Sequence, residues 1–235
     1  MVKGLLDRSI TTKINWILDN ILPPILRDCR PLMHFIISFA YGKKTKLIMD
    51  FKDRYPFISE AELNTIYHSI QDVPINQRRP SDLNPKSLDY VLRSVVGDTV
   101  LDAACGRGYL AEQIVKLGKS VIGLDVIVSE KMEKGVNYVC GDITNLPFEN
   151  SCFDTVVCTH ALEHIEDGNK ALSELLRVAK KRVIVVMPCQ REYRFTPDLH
   201  VRFLPYMYNF KKFIGIEEAQ YDMHGNDFCC VIDRA

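Results

Sequence analysis

Glycines and carboxylates recur in this chain at a spacing that suits a nucleoside. In Val100-Leu101-Asp102-Ala103-Ala104-Cys105-Gly106-Arg107-Gly108-Tyr109-Leu110-Ala111 a β-rich run meets two glycines and then a helical pattern. Glycine carries no Cβ, so a ligand can approach the backbone closely there. Asp125 ends the next β-rich run, 23 residues beyond Asp102, where a carboxylate can accept from both hydroxyls of a ribose. A third acid, Asp142, opens Gly141-Asp142-Ile143-Thr144-Asn145-Leu146-Pro147-Phe148 after the third run. Asp142 can accept from an adenine amino group while the Ile143 amide donates to the ring. A nucleoside-containing ligand is therefore expected at the carboxyl ends of the strands.

Two such ligands compete. Gly106-x-Gly108-x-x-Ala111 fits the loose dinucleotide fingerprint, which would bring NAD. Asp102 stands against it. A dinucleotide places its pyrophosphate at this helix N-terminus, and a carboxylate beside a pyrophosphate repels it. S-adenosylmethionine carries a sulfonium and an ammonium and no phosphate, so the sign of the charge favours it.

From about Thr99 to Met187 the chain resembles the class I S-adenosylmethionine-dependent methyltransferases, in particular their small-molecule "type 11" group. The resemblance is carried by LDAACGRGYL, GLDV, GDITNLPFENSCFDTVVCTHALEHIED and ALSELLRVAKKRVIVVMP, in the family's order and spacing. It implies that Asp102, Gly106 and Gly108 line the methionine end of the cofactor. It implies too that Asp125 holds the ribose and that Asp142 and Ile143 frame the adenine. Ala103, Cys105, Val126, Thr159 and His160 complete the expected cofactor-binding set. Cys105 is read as a small packing residue rather than a catalytic thiol. Ala104 stands where the family usually has a small residue or glycine, and its methyl group is not expected to cost binding.

Methyl transfer from a sulfonium is an in-line displacement, so the protein mainly aligns the acceptor and excludes water. A hydroxyl acceptor also needs a base. The fourth β-rich run, Phe153 to Thr159, ends at His160, which is either that base or a wall of the cofactor pocket. Glu163 and His164 read as helix-cap and packing groups. His160 and His164 have the i,i+4 spacing of a metal pair, but the sequence offers no evident third ligand, and no metal is expected. The polar, aromatic segment from Pro188 to Phe203 supplies substrate-contact candidates in Asp198, His200 and Arg202. His200 is a second candidate base, and a solvated loop is the plain alternative for the whole segment.

These groups require a scaffold, and the sequence outlines one. Short β-rich runs at Thr99–Ala103, Ser120–Asp125, Val136–Cys140, Phe153–Thr159 and Val183–Met187 alternate with helical patterns at Tyr109–Leu117 and Gly168–Ala179. Such alternation means a parallel sheet with helices on both faces. Two last runs, Ile214–Tyr221 and Phe228–Ile232, read as a closing antiparallel hairpin. The expected fold is thus α/β: a doubly wound, mostly parallel seven-stranded sheet of the Rossmann-like methyltransferase type, with an antiparallel last strand. Before Gly97 the patterns are helical. They cover residues 14–22, 25–30 and 32–41, then a capped helix from Glu60 to about Ile70, a proline-rich connector over 72–85 and a helix from Lys86 to Val96. The boundary is set accordingly, with a helical extension over 1–97 and a cofactor-binding domain over 98–235.

Composition narrows the classes. Of 235 residues, 47% are hydrophobic and 26% charged, ordinary values for a globular chain. Thirty basic and thirty acidic residues cancel, so no net field draws the chain to nucleic acid. The Asn/Asp-Pro-Pro-aromatic run of amide-nitrogen methylation is missing after the fourth run, where Thr159-His160-Ala161-Leu162 stands. The eight cysteines form no CxxC pair and read as buried, reduced thiols of a cytosolic protein. Met1 to Ile10 lacks the apolar core of a signal peptide. The longest apolar stretch, Leu32 to Tyr41, has ten residues, against roughly 20 for a membrane span. The expected location is cytoplasmic or membrane-peripheral. For residues 1–97 three roles stand open: a cap that closes the acceptor site from water, a dimer interface, or attachment to a membrane surface. The last draws on Trp16, Phe35, Ile36 and Phe39 followed by Lys43, Lys44 and Lys46. The expected protein is a monomer or homodimer that transfers a methyl group from S-adenosylmethionine to a small-molecule or glycan-like acceptor, at oxygen. Its rivals are a non-catalytic protein on the same fold and an NAD-dependent oxidoreductase.

Overall fold

The computed structural model describes residues 21–59, 62–63, 65–66, 69, 81–128, 135–192, 194–195 and 199–234. Residues 14–20 of the expected helix over 14–22, most of the one over 60–70, the connector over 72–80, and with them Trp16 and Asp198, lie outside the described residues, while 21–22 are not helical. The chain divides into two compact units. One holds Met1–Pro80 with Gln190–His200, the other Ser81–Cys189 with Val201–Ala235.

The second unit is built on one seven-stranded sheet. Its strands are β1 (Thr99–Ala103), β2 (Ser120–Asp125), β3 (Asn137–Cys140), β4 (Phe153–Thr159), β5 (Ala179–Pro188), β6 (Gln220–His224) and β7 (Asp227–Asp233), in the order β3-β2-β1-β4-β5-β7-β6. β1 pairs in parallel with β2 and β4, and β4 with β5, whereas β7 runs antiparallel to both β5 and β6. The chain leaves β1 toward β2 on one side and returns to β4 on the other. Ligands of open α/β sheets bind at the carboxyl ends of the strands flanking such a switch.

Alternation along the strands fills two cores. Leu101, Val156, Val183 and Val185 face one side and pack with Ala171, Leu172 and Leu175 of the helix Gly168–Val178. Val100, Val157, Ile184 and Val186 face the other and pack with Val91, Ala111 and Ile114. With both faces covered, the strands read as continuous apolar runs, as parallel sheets do.

The helix over Pro85–Ser94 was expected in the helical extension. It lies in the second unit, where Val91 is fully buried in the sheet's core. Its cap explains why it starts there: Asn84 Oδ1 accepts from the amides of Lys86 (2.9 Å) and Ser87 (3.1 Å), and Pro85 needs no partner in the first turn. The closing antiparallel hairpin forms as expected between β6 and β7, although its first strand starts at Gln220 rather than Ile214. Residues Met207–Ile214 form a helix, ended by Gly215 at φ +70°. Phe210 and Ile214 lie one turn apart and are buried, with Phe210 stacked on Phe228 at 5.6 Å, which ties that helix to the sheet.

The first unit contains α1 (Pro24–Arg27), α2 (Arg30–Tyr41) and α3 (Thr45–Arg54), each end of α3 continued by a single 3₁₀ turn. Pro31 falls within the first turn of α2 and does not separate two helices as expected, because a proline there removes no helical hydrogen bond. α3 was not expected at all. It buries Ile48, Met49 and Phe51, while Met33 and Ile37 of α2 are buried alongside. Ser59 Oγ accepts from the Glu62 amide at 3.2 Å, as the capping-box spacing predicts. Lys52 pairs with Glu192 at 3.0 Å and the Arg194 amide donates to Asp28 at 3.2 Å, so the 190–200 segment belongs to this unit.

No cysteine forms a disulfide. Cys158, Cys229 and Cys230 are buried and Cys29, Cys105 and Cys189 partly so, but Cys140 and Cys152 are exposed, where buried thiols were expected. Among the described residues no helix is long and apolar enough to cross a membrane.

Candidate functional site

The turn after β1 is held open by three left-handed residues: Ala104 (φ +58°), Gly106 (+56°) and Gly108 (+85°). The Cys105 amide donates to Leu124 O at 2.9 Å and the Gly108 amide to Cys105 O at 2.9 Å, which fix the turn against β2 and start the helix Tyr109–Val115. A Cβ on Gly106 would meet no atom within 4 Å, so the backbone there is open to a ligand. Gly108 is different: a Cβ would run into the hydroxyl of Tyr138. Tyr138 reaches that point across Gly123 of β2, its register partner, where a Cβ would again strike the tyrosine ring. The glycine inside the run Ser120–Asp125 was the available signal for this crossing, since glycine within a strand marks a close approach. It went unread. Ala104 has no such excuse. A left-handed alanine costs about 1–2 kcal/mol, less than the ~1.5–3 kcal/mol that each buried side chain of the adjoining strand contributes.

Three carboxylates lie at this edge of the sheet. Asp102 is 1% exposed, and its Oδ2 has no hydrogen-bond partner among the described residues. Burial raises its pKa to about 7; the Ala111 amide pulls it down, and Asp125 pushes it further up. Asp125 bridges two loops. Its Oδ2 accepts from the Gly106 amide at 2.8 Å and its Oδ1 from the Ile127 amide at 3.0 Å. Val126, next to it, is exposed, and Ala103 is fully buried. Asp142 caps its own turn, with Oδ1 accepting from the Thr144 amide at 2.8 Å and Oδ2 from the Thr144 hydroxyl at 2.7 Å. Ile143 beside it is buried. The loop that follows is clasped from the helix Gly168–Val178: Arg177 donates to Phe148 O and Leu146 O, and Glu174 accepts from the Leu146 amide. Cys105 sits within the turn as expected. Burial, with Asp102 and Asp125 nearby, pushes its thiol up, which disfavours a nucleophilic thiolate.

His160 follows half-buried Thr159 and takes φ +51°. Its ring lies between two buried carboxylates, with Nε2 3.3 Å from Asp227 Oδ1 and Nδ1 3.5 Å from Glu163 Oε1. Burial alone would lower its pKa, but Asp227 and Glu163 outweigh it and hold the ring up to about 10. Asp227 is itself fixed by Ser87 Oγ at 2.5 Å and Asn84 Nδ2 at 2.7 Å. An imidazolium clamped in this way has no lone pair to take a proton near neutrality. Of the two roles left open for His160, base or pocket wall, a ring held charged between two carboxylates favours the wall. Sequence reading missed Asp227, since it stands 67 residues downstream as the first residue of β7.

Asp198 lies outside the described residues. His200, buried in the first unit, has its Nδ1 2.5 Å from Gln190 Oε1. Arg202 is a staple rather than a substrate contact. Its guanidinium donates to the carbonyls of Leu162 (2.7 Å), Ile165 (3.1 Å) and Glu166 (3.2 Å), and a Cβ on Gly168 would collide with it.

With this geometry in hand, the comparisons with known proteins are informative. A family model described as a methyltransferase domain matches residues 101–187. Demethylmenaquinone methyltransferase of Renibacterium salmoninarum is 35% identical over 92 residues, covering 37% of this chain and 39% of that protein. Ubiquinone biosynthesis O-methyltransferase of Coxiella burnetii is 31% identical over 119 residues, 46% of this chain and 51% of the relative. The chain thus spans about half or less of the curated relatives' length. A solved structure of a protein from Pyrococcus horikoshii superposes with a TM-score of 0.53 at 20% identity, over 74% of this chain and 94% of that one, and shares the fold.

Proposed function

We propose, for a chain whose residues 101–187 match a methyltransferase domain, that the protein transfers a methyl group from S-adenosylmethionine to a small-molecule hydroxyl. When bound, S-adenosylmethionine supplies a methyl group already activated on a sulfonium. The chain's own residues then bind, orient and exclude water. Asp102 is the counter-ion for an ammonium. The open backbone at Gly106 admits the ligand. Each oxygen of Asp125 accepts one amide and keeps a second lone pair for a ribose hydroxyl. Asp142 and Ile143 stand at the adenine end, and the Arg177 clasp keeps their loop still.

The observation that carries this reading is Asp102. A fully buried carboxylate with an unsatisfied oxygen is costly unless a cation arrives to justify it. A pyrophosphate in the same turn would deepen the cost.

His160 bears on the choice of acceptor. Because this imidazolium holds its proton, an acceptor whose hydroxyl is itself acidic, a phenol or an enol, asks least of the chain. The Coxiella relative is an O-methyltransferase by name, which supports oxygen. Equilibrium dialysis against S-adenosylhomocysteine and NADH tests the cofactor half, where retention of NADH alone would overturn it. Incubation with methyl-labelled cofactor and a panel of phenols, hydroquinones, amines and sugars tests the acceptor half. Label confined to the amines or sugars would exclude an acidic hydroxyl.

A further inference from the structure

Helix α2 is apolar on both sides. Met33 and Ile37 are buried, yet Phe35 is 74% exposed, Phe39 71% and Ile36 37%. Phe35 and Phe39 lie four residues apart and so share one face, a turn apart. An ordinary surface helix turns charged side chains outward along such a face, and α2 offers only His34 and Ser38 nearby. Upstream, Ile25 is 81% exposed and Ile21 61%.

Lysines follow at once. Lys43 and Lys44 lie immediately after α2 and Lys46 in the first turn of α3, Lys43 and Lys46 exposed, and none has an acidic partner among the described residues. The nearby acid Asp50 is engaged by Arg30 at 2.5 Å. In a chain of zero net charge, this is a local surplus of positive charge beside exposed aromatic rings. A second copy of the chain docked two-fold on this face would set the lysines against their own counterparts. A bilayer surface meets both features, since its acyl boundary takes the rings and its anionic headgroups take the ammoniums.

We propose that the outward face of α2, with Lys43, Lys44 and Lys46, docks the protein on the surface of an anionic lipid bilayer. The docking is peripheral and does not depend on the reaction proposed above.

Flotation of the full chain tests it, with phosphatidylcholine vesicles and with vesicles in which about a third of the lipid is phosphatidylglycerol. The chain is expected to float with the anionic vesicles only. Lys43→Gln/Lys44→Gln/Lys46→Gln should weaken partitioning on the order of a hundredfold, and Phe35→Ser/Phe39→Ser at least about tenfold. Unaltered helical circular dichroism and unaltered S-adenosylhomocysteine retention show that the variants are folded. Three results would overturn the proposal: no flotation of the wild type, flotation indifferent to anionic lipid, or variants that float like the wild type. A concentration-dependent dimer that both variants dissolve, without flotation, would assign the face to a second copy instead. A chain that retains S-adenosylhomocysteine but does not float refutes this proposal alone. One that floats but retains no S-adenosylhomocysteine refutes only the reaction.

Discussion

Single residues carry three expectations. Ala104 holds a left-handed φ of +58°. Ala104→Gly relieves about 1–2 kcal/mol of backbone strain and restores about 0.5–1 kcal/mol of unfolded-state entropy. A net gain of up to about 1.5 kcal/mol, and no loss, should appear in urea unfolding. Asp102, raised to about 7 by burial, favours folding when protonated, a contribution full below about 3.8 and lost as pH rises through 7. An ammonium ligand reverses the preference. S-adenosylhomocysteine affinity should climb with pH, by up to about tenfold per unit below pH 7, and Asp102→Asn should flatten that climb in dialysis. His160 is the third case. Its pKa is raised to about 10, so the clamp stabilises fully below the unfolded value of about 6.5 and fades as pH rises through 10. Asp227→Asn should cost about 3 kcal/mol, the lower end for breaking a buried pair, because Glu163 still faces the ring. It should also shrink the alkaline fall of the melting temperature.

At the scale of elements, the contact of β3 with the glycine turn is the testable feature. Gly108→Ala places a Cβ at φ +85° and against Tyr138. It should weaken folding by at least about 1–3 kcal/mol and reduce S-adenosylhomocysteine retention. Adding Tyr138→Ala should return the steric share and leave the backbone share, so identical unfolding midpoints for the single and double variants would exclude the steric reading. The parallel strands were legible because residues such as Val156 and Val157 are buried on opposite faces and make unbroken apolar runs. α3 was not, since Ile48, Met49 and Phe51 are spread among lysines, aspartates and an arginine, and a Gly-Lys-Lys turn precedes them. The helix Met207–Ile214 hid for a similar reason. Its aromatic residues suit a strand equally well, and only contact with Phe228 decides.

For the molecule as a whole, local pattern could not locate the boundary between the two units. The helix Pro85–Ser94 looks like the helices before it, but Asn84 and Ser87 reach Asp227 across at least 140 residues of chain. A separation of 67 residues likewise conceals from His160 the carboxylate of Asp227, so the sequence left base and pocket wall both open where Asp227 and Glu163 face the ring. The acids Asp102, Asp125 and Asp142 were legible because each closes or follows a strand, and parallel strands deliver their ends to one edge. That shared edge has an experimental corollary. Exposed Cys140 ends β3 beside Asp125, its register partner, whereas exposed Cys152 sits just before β4 begins, at the opposite edge. The protein therefore carries a built-in footprinting pair. Alkylation by maleimide, read by mass spectrometry, should slow at Cys140 when S-adenosylhomocysteine is present and proceed unchanged at Cys152, so that one thiol reports occupancy and the other calibrates the reagent.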